Sequence, residues 1–109
     1  MSERIVRLAE LEIDPAQLAA YRALLAEEIA ASVAKEPGVL LLNAVAMKDA
    51  PHQIRILEIY ADRAAYEAHL ITPHFLKYKA GTAAMVVSLR LIDAEPVAIA
   101  GKDWAAILG

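Results

Sequence analysis

The sequence predicts an α+β domain whose elements follow the ferredoxin-like order βαββαβ. Two observations lead to this class. Four segments have the residue pattern of β-strands, and helix-start signals open the connections from the first strand to the second and from the third to the fourth. The 109 residues are enough for one hydrophobic core and not for two. We therefore expect one domain over residues 1–109, with a C-terminal tail from about residue 100.

The first strand and the first helix occupy the N-terminal third of the chain. The strand is predicted from Arg4 to Ile13, and Asp14-Pro15 then supplies an N-cap and a first-turn proline. Pro37-Gly38 ends the helix and turns the chain. The apolar stripe of this helix consists of Leu18, Tyr21, Leu25, Ile29 and Val33. The residues predicted to lie off the stripe are Gln17, Arg22, Glu28 and Lys35.

A β-hairpin is predicted in the middle of the chain. Its strands are Val39 to Lys48 and Gln53 to Ala61, and the four residues between them form the turn. So short a connection makes the two strands antiparallel. Both strands are apolar on both faces, which indicates that both faces of the sheet are covered. Helices cover only one face if both crossovers lie on the same side, so the other face needs a partner chain.

Two helices and a strand are predicted in the last third. Asp62 caps a short helix over Arg63 to Leu70, and Thr72-Pro73 starts another that runs to about Val86. Leu89 to Ile99 is predicted as the fourth strand. Pro96 is expected near an edge or a bulge of this strand. In the tail, Trp104, Ile107 and Leu108 are expected to dock on this subunit or on a neighbouring one.

The composition predicts a self-associating cytoplasmic protein. Hydrophobic residues make up 59% of the chain and its mean hydropathy is +0.41, more than a small monomer buries, so we expect a homodimer or a higher assembly. The net charge of −3, without a basic run, argues against nucleic acid as a partner. The absence of cysteine excludes disulfides, thiol catalysis and cysteine-ligated zinc. No signal peptide or membrane span is predicted.

Residues suited to chemistry concentrate between positions 58 and 78. The stretch from His69 to Tyr78 contains two of the three histidines and the only phenylalanine. Glu58 and Tyr60 lie two residues apart on the third strand, so they share one face of the sheet. We expect these elements to line a small pocket.

The two histidines of this stretch are candidate catalytic residues. His74 is the second residue after the Thr72 cap, where the helix dipole favours the neutral imidazole that a base requires. Alternatively, it is a partly exposed histidine at a helix start. His69 either lines the pocket or packs under the following loop. The pair is not expected to bind a metal, because no third ligand lies at a suitable spacing.

Glu58 is the third catalytic candidate, because a carboxylate in the middle of an apolar strand requires a partner. It orients a histidine or accepts a substrate proton, or else it pairs with an arginine such as Arg55 or Arg90. The candidate substrate-binding residues are Asn43, Tyr60, Phe75 and Tyr78. The first two bind a substrate oxygen or are satisfied by backbone. Phe75 and Tyr78 lie three residues apart on one helix and are expected to form a wall of the core.

Three runs of residues resemble one known family. They are Glu36-Pro37-Gly38, then Glu58 to Asp62, then His69 to Phe75. Together they resemble the antibiotic biosynthesis monooxygenase family, and within it the quinol monooxygenases and their autoinducer-processing relatives. The similarity extends from the first strand to about Pro96. It implies a dimeric α+β barrel, in which two four-stranded sheets pack face to face and each subunit has a pocket between its sheet and its helices.

The resemblance also implies a cofactor-free chemistry. Oxygenases of this kind oxidise electron-rich phenols or quinols with molecular oxygen and need no flavin, haem or metal, because the substrate supplies the electrons. The protein has to provide a dry pocket and a base. A haem-degrading branch of the family has a tryptophan and a ligating histidine at the places of His69 and Tyr78, so that activity is not expected.

Three functions remain open. The first is a cofactor-independent monooxygenase of a small quinol, phenol or polycyclic aromatic, with His74 and His69 as base and orienting group. The second is an isomerase or lyase of a sugar-derived signal similar to autoinducer-2. A phosphate on that substrate would need the nearby cationic side chains Lys77, Lys79 and Arg55. The third is a non-catalytic stress-response dimer that binds a small ligand, since one fold serves many functions.

Overall fold

Four antiparallel strands form one sheet, and three helices pack on one side of it. The structure is a computed structural model that describes residues 3–103. The elements are β1 (Ile5–Ile13), α1 (Leu18–Lys35), β2 (Val39–Met47), β3 (Ala50–Tyr60), α2 (Arg63–His69), α3 (Pro73–Thr82) and β4 (Val86–Ala94). The order of strands in the sheet is β2-β3-β1-β4. The predicted α+β, ferredoxin-like class is therefore confirmed.

Two local start signals act as the sequence predicts. The Asp62 side chain accepts a hydrogen bond from the amide of Ala65 and caps α2. Thr72 Oγ1 accepts from the amide of Phe75 and caps α3. Asp14 also caps, but the element that it opens is a 3-10 turn that leads into α1.

Several predicted boundaries were wrong. The strand β3 begins at Ala50, so the hairpin turn is only Lys48–Asp49. Pro51 is tolerated because the pairing of β3 with β1 starts at Gln53, beyond the proline. The helix α3 ends at Thr82, and β4 starts three residues before the predicted position because Val86 pairs with Ile13. The predicted docking of Trp104, Ile107 and Leu108 lies outside the described residues.

The buried face of α1 differs from the predicted apolar stripe. Its buried residues are Tyr21, Leu25, Glu28 and Ser32, whereas Val33 is 51% exposed. Glu28 was predicted to lie off the buried face, and that prediction was wrong. The helix can turn these polar side chains inward because Ser32 Oγ donates a hydrogen bond of 2.9 Å to Glu28 Oε1.

The two faces of the sheet have different surroundings. On one face, Ala9, Leu11, Ile54 and Ile56 belong to a core that includes residues of α1. On the opposite face, Leu8 of β1 lies beside Leu57 of β3. The other apolar side chains of this open face include Leu41, Val45 and Ile92. No helix in residues 3–103 covers the open face, and none there is long and apolar enough to cross a membrane.

Candidate active site

A cavity of about 380 Å³ lies between the sheet and the three helices. Most of its wall is apolar, with side chains from every layer that include Ala9, Leu11, Leu25, Ile29, Leu42, Ile56 and Phe75. Leu89 and Leu91 of β4 also line it, and they remain 47% and 50% exposed. Pockets for small ligands have volumes of roughly 300–1,000 Å³, so this one suits a compact molecule.

One part of the cavity wall is polar and internally connected. Its residues are Arg7, Glu28, Glu58, Tyr60, Tyr66 and His69. Tyr60 donates a hydrogen bond of 2.7 Å to Glu58 Oε1. The ring of Tyr60 lies 5.3 Å from that of His69 and 5.2 Å from that of Tyr66. The cavity therefore has an apolar body and one polar end.

At the polar end, His69 lies between two carboxylates. It is the last residue of α2, and its side chain is 3% exposed. Its Nδ1 atom lies 2.9 Å from Glu36 Oε2, and its Nε2 atom lies 3.3 Å from Glu28 Oε1. Glu36 follows the last residue of α1 and takes an extended conformation, which directs its side chain towards α2 and α3. His74, near the start of α3, places Nε2 at 2.6 Å from the same Oε2 atom.

The ionisation of Glu36 fixes the position of two protons. Burial by itself raises the pKa of Glu36, but the hydrogen bonds with His69 and His74 outweigh that effect and hold the pKa below its ordinary value. An ionised carboxylate only accepts hydrogen bonds. His69 Nδ1 and His74 Nε2 therefore each donate a proton to Glu36, which leaves His69 Nε2 to face Glu28.

The surroundings of Glu28 and Glu58 disfavour the ionised form of both carboxyl groups. Burial raises the pKa of Glu28 more than the hydrogen bond from Ser32 and the charge of His69 lower it. Burial likewise raises the pKa of Glu58 against the hydrogen bond from Tyr60. Glu28 Oε1 lies 3.3 Å from His69 Nε2, close enough for a proton to pass between them. The pair can therefore exchange a proton with a bound molecule.

Arg7 provides positive charge beside Glu58. The two residues are directly opposed in the pairing of β1 with β3. The guanidinium of Arg7 donates to Tyr66 Oη at 2.6 Å and to Asp93 Oδ1 at 3.1 Å. The predicted partners Arg55 and Arg90 were wrong, because both pair with Glu10 on the open face of the sheet, at 3.5 and 3.6 Å.

Five of the predicted site residues line the cavity: Glu58, Tyr60, His69, Phe75 and Tyr78. The ring of Phe75 packs 4.8 Å from that of His69. The hydroxyl of Tyr78 lies 2.6 Å from that of the fully buried Tyr21. His74 is not part of the cavity lining; its Nε2 contacts Glu36, which does not line the cavity either.

Asn43 was expected to face the pocket and does not. A shift of register near Val39 and Leu41 turns Leu42 towards the cavity, where it lies opposite Glu58. Asn43 is then opposite Leu57, exposed on the open face. Within this chain it cannot reach a ligand in the cavity.

Sequence reasoning missed Glu28 and Glu36. Glu28 was set aside because it lies off the predicted apolar stripe, although Glu28 and Ser32 have the i,i+4 spacing of a hydrogen-bonded pair. Glu36 was named only as part of the run Glu36-Pro37-Gly38 that resembles the family. It is 33 residues from His69 in the chain, so no local spacing connects the two. The argument that His69 and His74 lack a third ligand overlooked this residue.

Comparisons with known proteins place the chain among solved relatives. The family profile described as "Antibiotic biosynthesis monooxygenase" matches residues 4–81. A structure from Bacteriodes thetaiotaomicron, named as a candidate antibiotic biosynthesis monooxygenase, is 54% identical, with 92% of this chain and 95% of that chain covered and a TM-score of 0.88. No curated protein matches the chain.

Two further structures are more distant. A Lactobacillus acidophilus protein, named as a candidate monooxygenase, is 28% identical over 84% of this chain, which spans 43% of that longer protein, and its TM-score is 0.81. A Pseudomonas aeruginosa protein is 26% identical, with 90% of this chain and 98% of that chain covered and a TM-score of 0.80.

Proposed function

The chain belongs to the antibiotic biosynthesis monooxygenase family, and from this premise we propose that it oxidises a small, neutral quinol or phenol with molecular oxygen. The observation that carries the proposal is the position of His69. Its imidazole borders a largely apolar cavity and is held between Glu28 and Glu36. Glu36 orients the ring through Nδ1, and Nε2 lies beside Glu28, which also lines the cavity, so a proton can pass between this pair and a bound molecule.

The charges of the cavity favour a neutral substrate. Glu28 and Glu58 are both at the polar end, and an anionic group placed there would add to the cost of ionising either of them. Of the three cations considered for a phosphorylated sugar, Lys77 pairs with Glu27, Arg55 pairs with Glu10, and Lys79 lines the cavity. The cation at the polar end itself, Arg7, already donates to Tyr66 and Asp93. These contacts support a phenol or quinol as the substrate rather than a sugar phosphate.

The first chemical step is removal of a hydroxyl proton. A quinol hydroxyl at the polar end gives its proton to the pair formed by His69 Nε2 and Glu28. Glu36 keeps the imidazole in one orientation, because it accepts the proton on Nδ1. The resulting quinolate transfers electrons to oxygen more readily than the neutral quinol, and the apolar wall excludes competing water.

The overall reaction balances without an external reductant. A quinol and one O₂ give a hydroxyquinone and one water. Oxygen accepts four electrons in all: two come from oxidation of the quinol to the quinone, and two come from replacement of one ring C–H bond by C–O. The proton taken up at His69 is returned when water forms.

Oxygen consumption tests the proposal. With a panel of naphthoquinols and anthrones, we expect uptake that falls by about 10²–10⁴-fold in His69→Ala, the range typical of a general base. The control is His52→Gln, because His52 does not line the cavity and its Nε2 lies beside Glu12. Uptake that is unchanged in His69→Ala rules the mechanism out. Ligand binding without any turnover would favour the non-catalytic function.

We further propose that the protein works as a homodimer in the cytoplasm. The open face of the sheet exposes apolar side chains on several strands, including Val45, which is 57% exposed. Burying this face against a second copy removes the apolar surface from water. The proposal agrees with the dimeric barrel that the family resemblance implies.

A further inference from the structure

Three side chains with metal-binding atoms converge behind the polar end of the cavity. They are Glu36, His69 and His74, and their ligand atoms all lie within 4.8 Å of one another. They come from the end of α1, the end of α2 and the start of α3. Glu36 and His74 do not line the cavity, so the cluster meets the space that a substrate would fill only through His69.

The geometry of the cluster is close to that of a metal centre. His69 Nδ1 and His74 Nε2 lie 2.9 and 2.6 Å from Glu36 Oε2. Bonds of about 2.1 Å at tetrahedral angles place ligand atoms roughly 3.4 Å apart. An ion would fit if the carboxylate oxygen drew back from the two rings by roughly 0.5–0.8 Å and the ligand atoms, which lie within 4.8 Å of one another, closed around the ion. The two protons that now fill this space are the ones that a metal would replace.

An outer shell of the kind found around metal-bound histidines is already in place. His69 directs its other nitrogen, Nε2, to Glu28 Oε1 at 3.3 Å. Glu28 in turn accepts a hydrogen bond from Ser32. Metal-ligating histidines usually donate their second N–H to a carboxylate, which fixes the ring and raises its basicity. This arrangement uses the ring nitrogen of His69 that does not face Glu36.

The ligand types select the class of metal. Two imidazoles and one carboxylate suit Zn²⁺ and its neighbours in the first transition row, whereas Ca²⁺ and Mg²⁺ require oxygen ligands. The carboxylates of Glu28 and Glu36, both near His69, favour the binding of a cation but do not select its class. Three protein ligands leave a fourth position for water.

We propose that Glu36, His69 and His74 form a binding site for a divalent transition metal of the Zn²⁺ class. The bound ion joins the ends of three helices. It also holds His69 by Nδ1, so that Nε2 keeps its proton towards Glu28 and cannot accept one from a substrate. Metal would then inhibit the proposed oxidation. The binding itself does not depend on that oxidation being the function.

Metal titration of the untagged full chain tests the site. After chelator treatment, Zn²⁺ is added in a calorimeter, and Co²⁺ is added in parallel with its visible absorption recorded. We expect one ion per chain. Removing a ligand in Glu36→Gln or His74→Asn should lower the affinity by more than about 100-fold, and Ser32→Ala should lower it by about 10-fold, through loss of outer-shell support.

A matched control is provided by the third histidine. His52 lies 3.7 Å from Glu12, so it is also a His–Glu pair, but outside the cluster. His52→Gln should leave the stoichiometry and affinity unchanged. Zn²⁺ should raise the melting temperature of the wild type and of His52→Gln, and it should not raise that of Glu36→Gln.

Three outcomes overturn the proposal: no saturable binding of Zn²⁺ or Co²⁺, binding that survives both Glu36→Gln and His74→Asn, or binding lost in His52→Gln. Circular dichroism of each variant establishes that it is folded. A chain that consumes oxygen with a quinol and binds no Zn²⁺ contradicts this proposal alone. One that binds Zn²⁺ and oxidises nothing contradicts only the proposed oxidation.

Discussion

Glu58 is a mostly buried carboxyl group beside an aromatic cluster. Burial raises its pKa more than the hydrogen bond from Tyr60 and the charges of His69 and Arg7 lower it. Unfolding lets the same group ionise at its ordinary pKa of about 4.3. The folded chain therefore binds more protons at this position, and its stability falls as pH rises from the unfolded towards the folded pKa.

The variant Glu58→Gln should remove this pH dependence. Glutamine keeps an oxygen that can accept the hydrogen bond from Tyr60, and it never ionises. Relative to the wild type, we expect the free energy of unfolding of the variant to rise as the pH increases above about 4.3, the ordinary pKa, towards the raised pKa of the folded state, as measured by urea denaturation. Glu67→Gln, at an exposed position of α2, is the control. A constant difference between the two proteins over this range would contradict the expectation.

The limits of sequence reasoning are also clearest for single residues. The caps at Asp62 and Thr72 could be predicted because each acts on an amide three residues away. Glu28 could not, because its burial depends on the rotation of α1 about its axis. Asn43 could not, because a shift of register in β2 exchanges its face with that of Leu42. The rotation of a helix about its axis and the register of a strand are both set by tertiary contacts.

Among the elements, the short helix α2 matters most for the proposed function. It has seven residues, and it positions His69. An isolated helix of this length is not stable, so its position depends on its ends and on packing. After its last residue, Thr72 Oγ1 donates a hydrogen bond of 2.8 Å to the carbonyl of His69 and accepts one from the amide of Phe75.

Thr72→Ala should therefore weaken the α2–α3 junction. The loss of an N-cap oxygen costs about 1 kcal/mol of stability, within a range of about 0.5–2 kcal/mol. We expect a decrease of this size in the free energy of unfolding from urea titrations. Thr72→Ser retains the hydroxyl and should lose much less. Equal losses in both variants would mean that the methyl group, not the cap, stabilises the junction.

The turn from α1 to β2 approaches α2 closely at Gly38. A Cβ atom at this position would overlap the Cβ atom of Ala65. The conflict is a steric one between elements, because Gly38 does not have a left-handed backbone conformation. Glycine is needed here so that the end of α1, which carries Glu36, can lie against α2.

Gly38→Ala should destabilise the fold by about 1–3 kcal/mol, the usual cost of overpacking. Thermal and urea denaturation measure this loss. The double variant Gly38→Ala with Ala65→Gly removes the overlapping methyl and should recover part of the stability. If it recovers none, the cost of Gly38→Ala arises elsewhere than in this contact.

At the scale of the whole molecule, the open face of the sheet determines assembly. Leu57 lies near its middle, paired with Leu8 on one side and Asn43 on the other. If this face is the dimer interface, a charge at its centre is buried without a partner, which costs several kcal/mol. The sequence predicted the uncovered face from the apolar character of β2 and β3, but one chain alone does not reveal what covers it.

Leu57→Lys should convert a dimer into monomers. Sedimentation velocity at several protein concentrations measures the change, with the wild type expected at twice the monomer mass. Ile71→Lys is the control, since Ile71 is 75% exposed in the connection between α2 and α3. A wild type that remains a monomer at high concentration would disprove dimerisation.

The contacts of His69 also decide where a substrate can enter. Glu28 and Glu36 tie the end of α2 to α1, and His74 ties the start of α3 to the same carboxylate. A movement of α2 away from α1 would break these contacts, so a substrate is not expected to enter from the helical side of the cavity. On the opposite flank of the cavity, Leu89 and Leu91 of β4 are about half exposed. We therefore expect a substrate to enter the cavity along that flank and to reach His69 last, at the far end of the apolar part of the cavity.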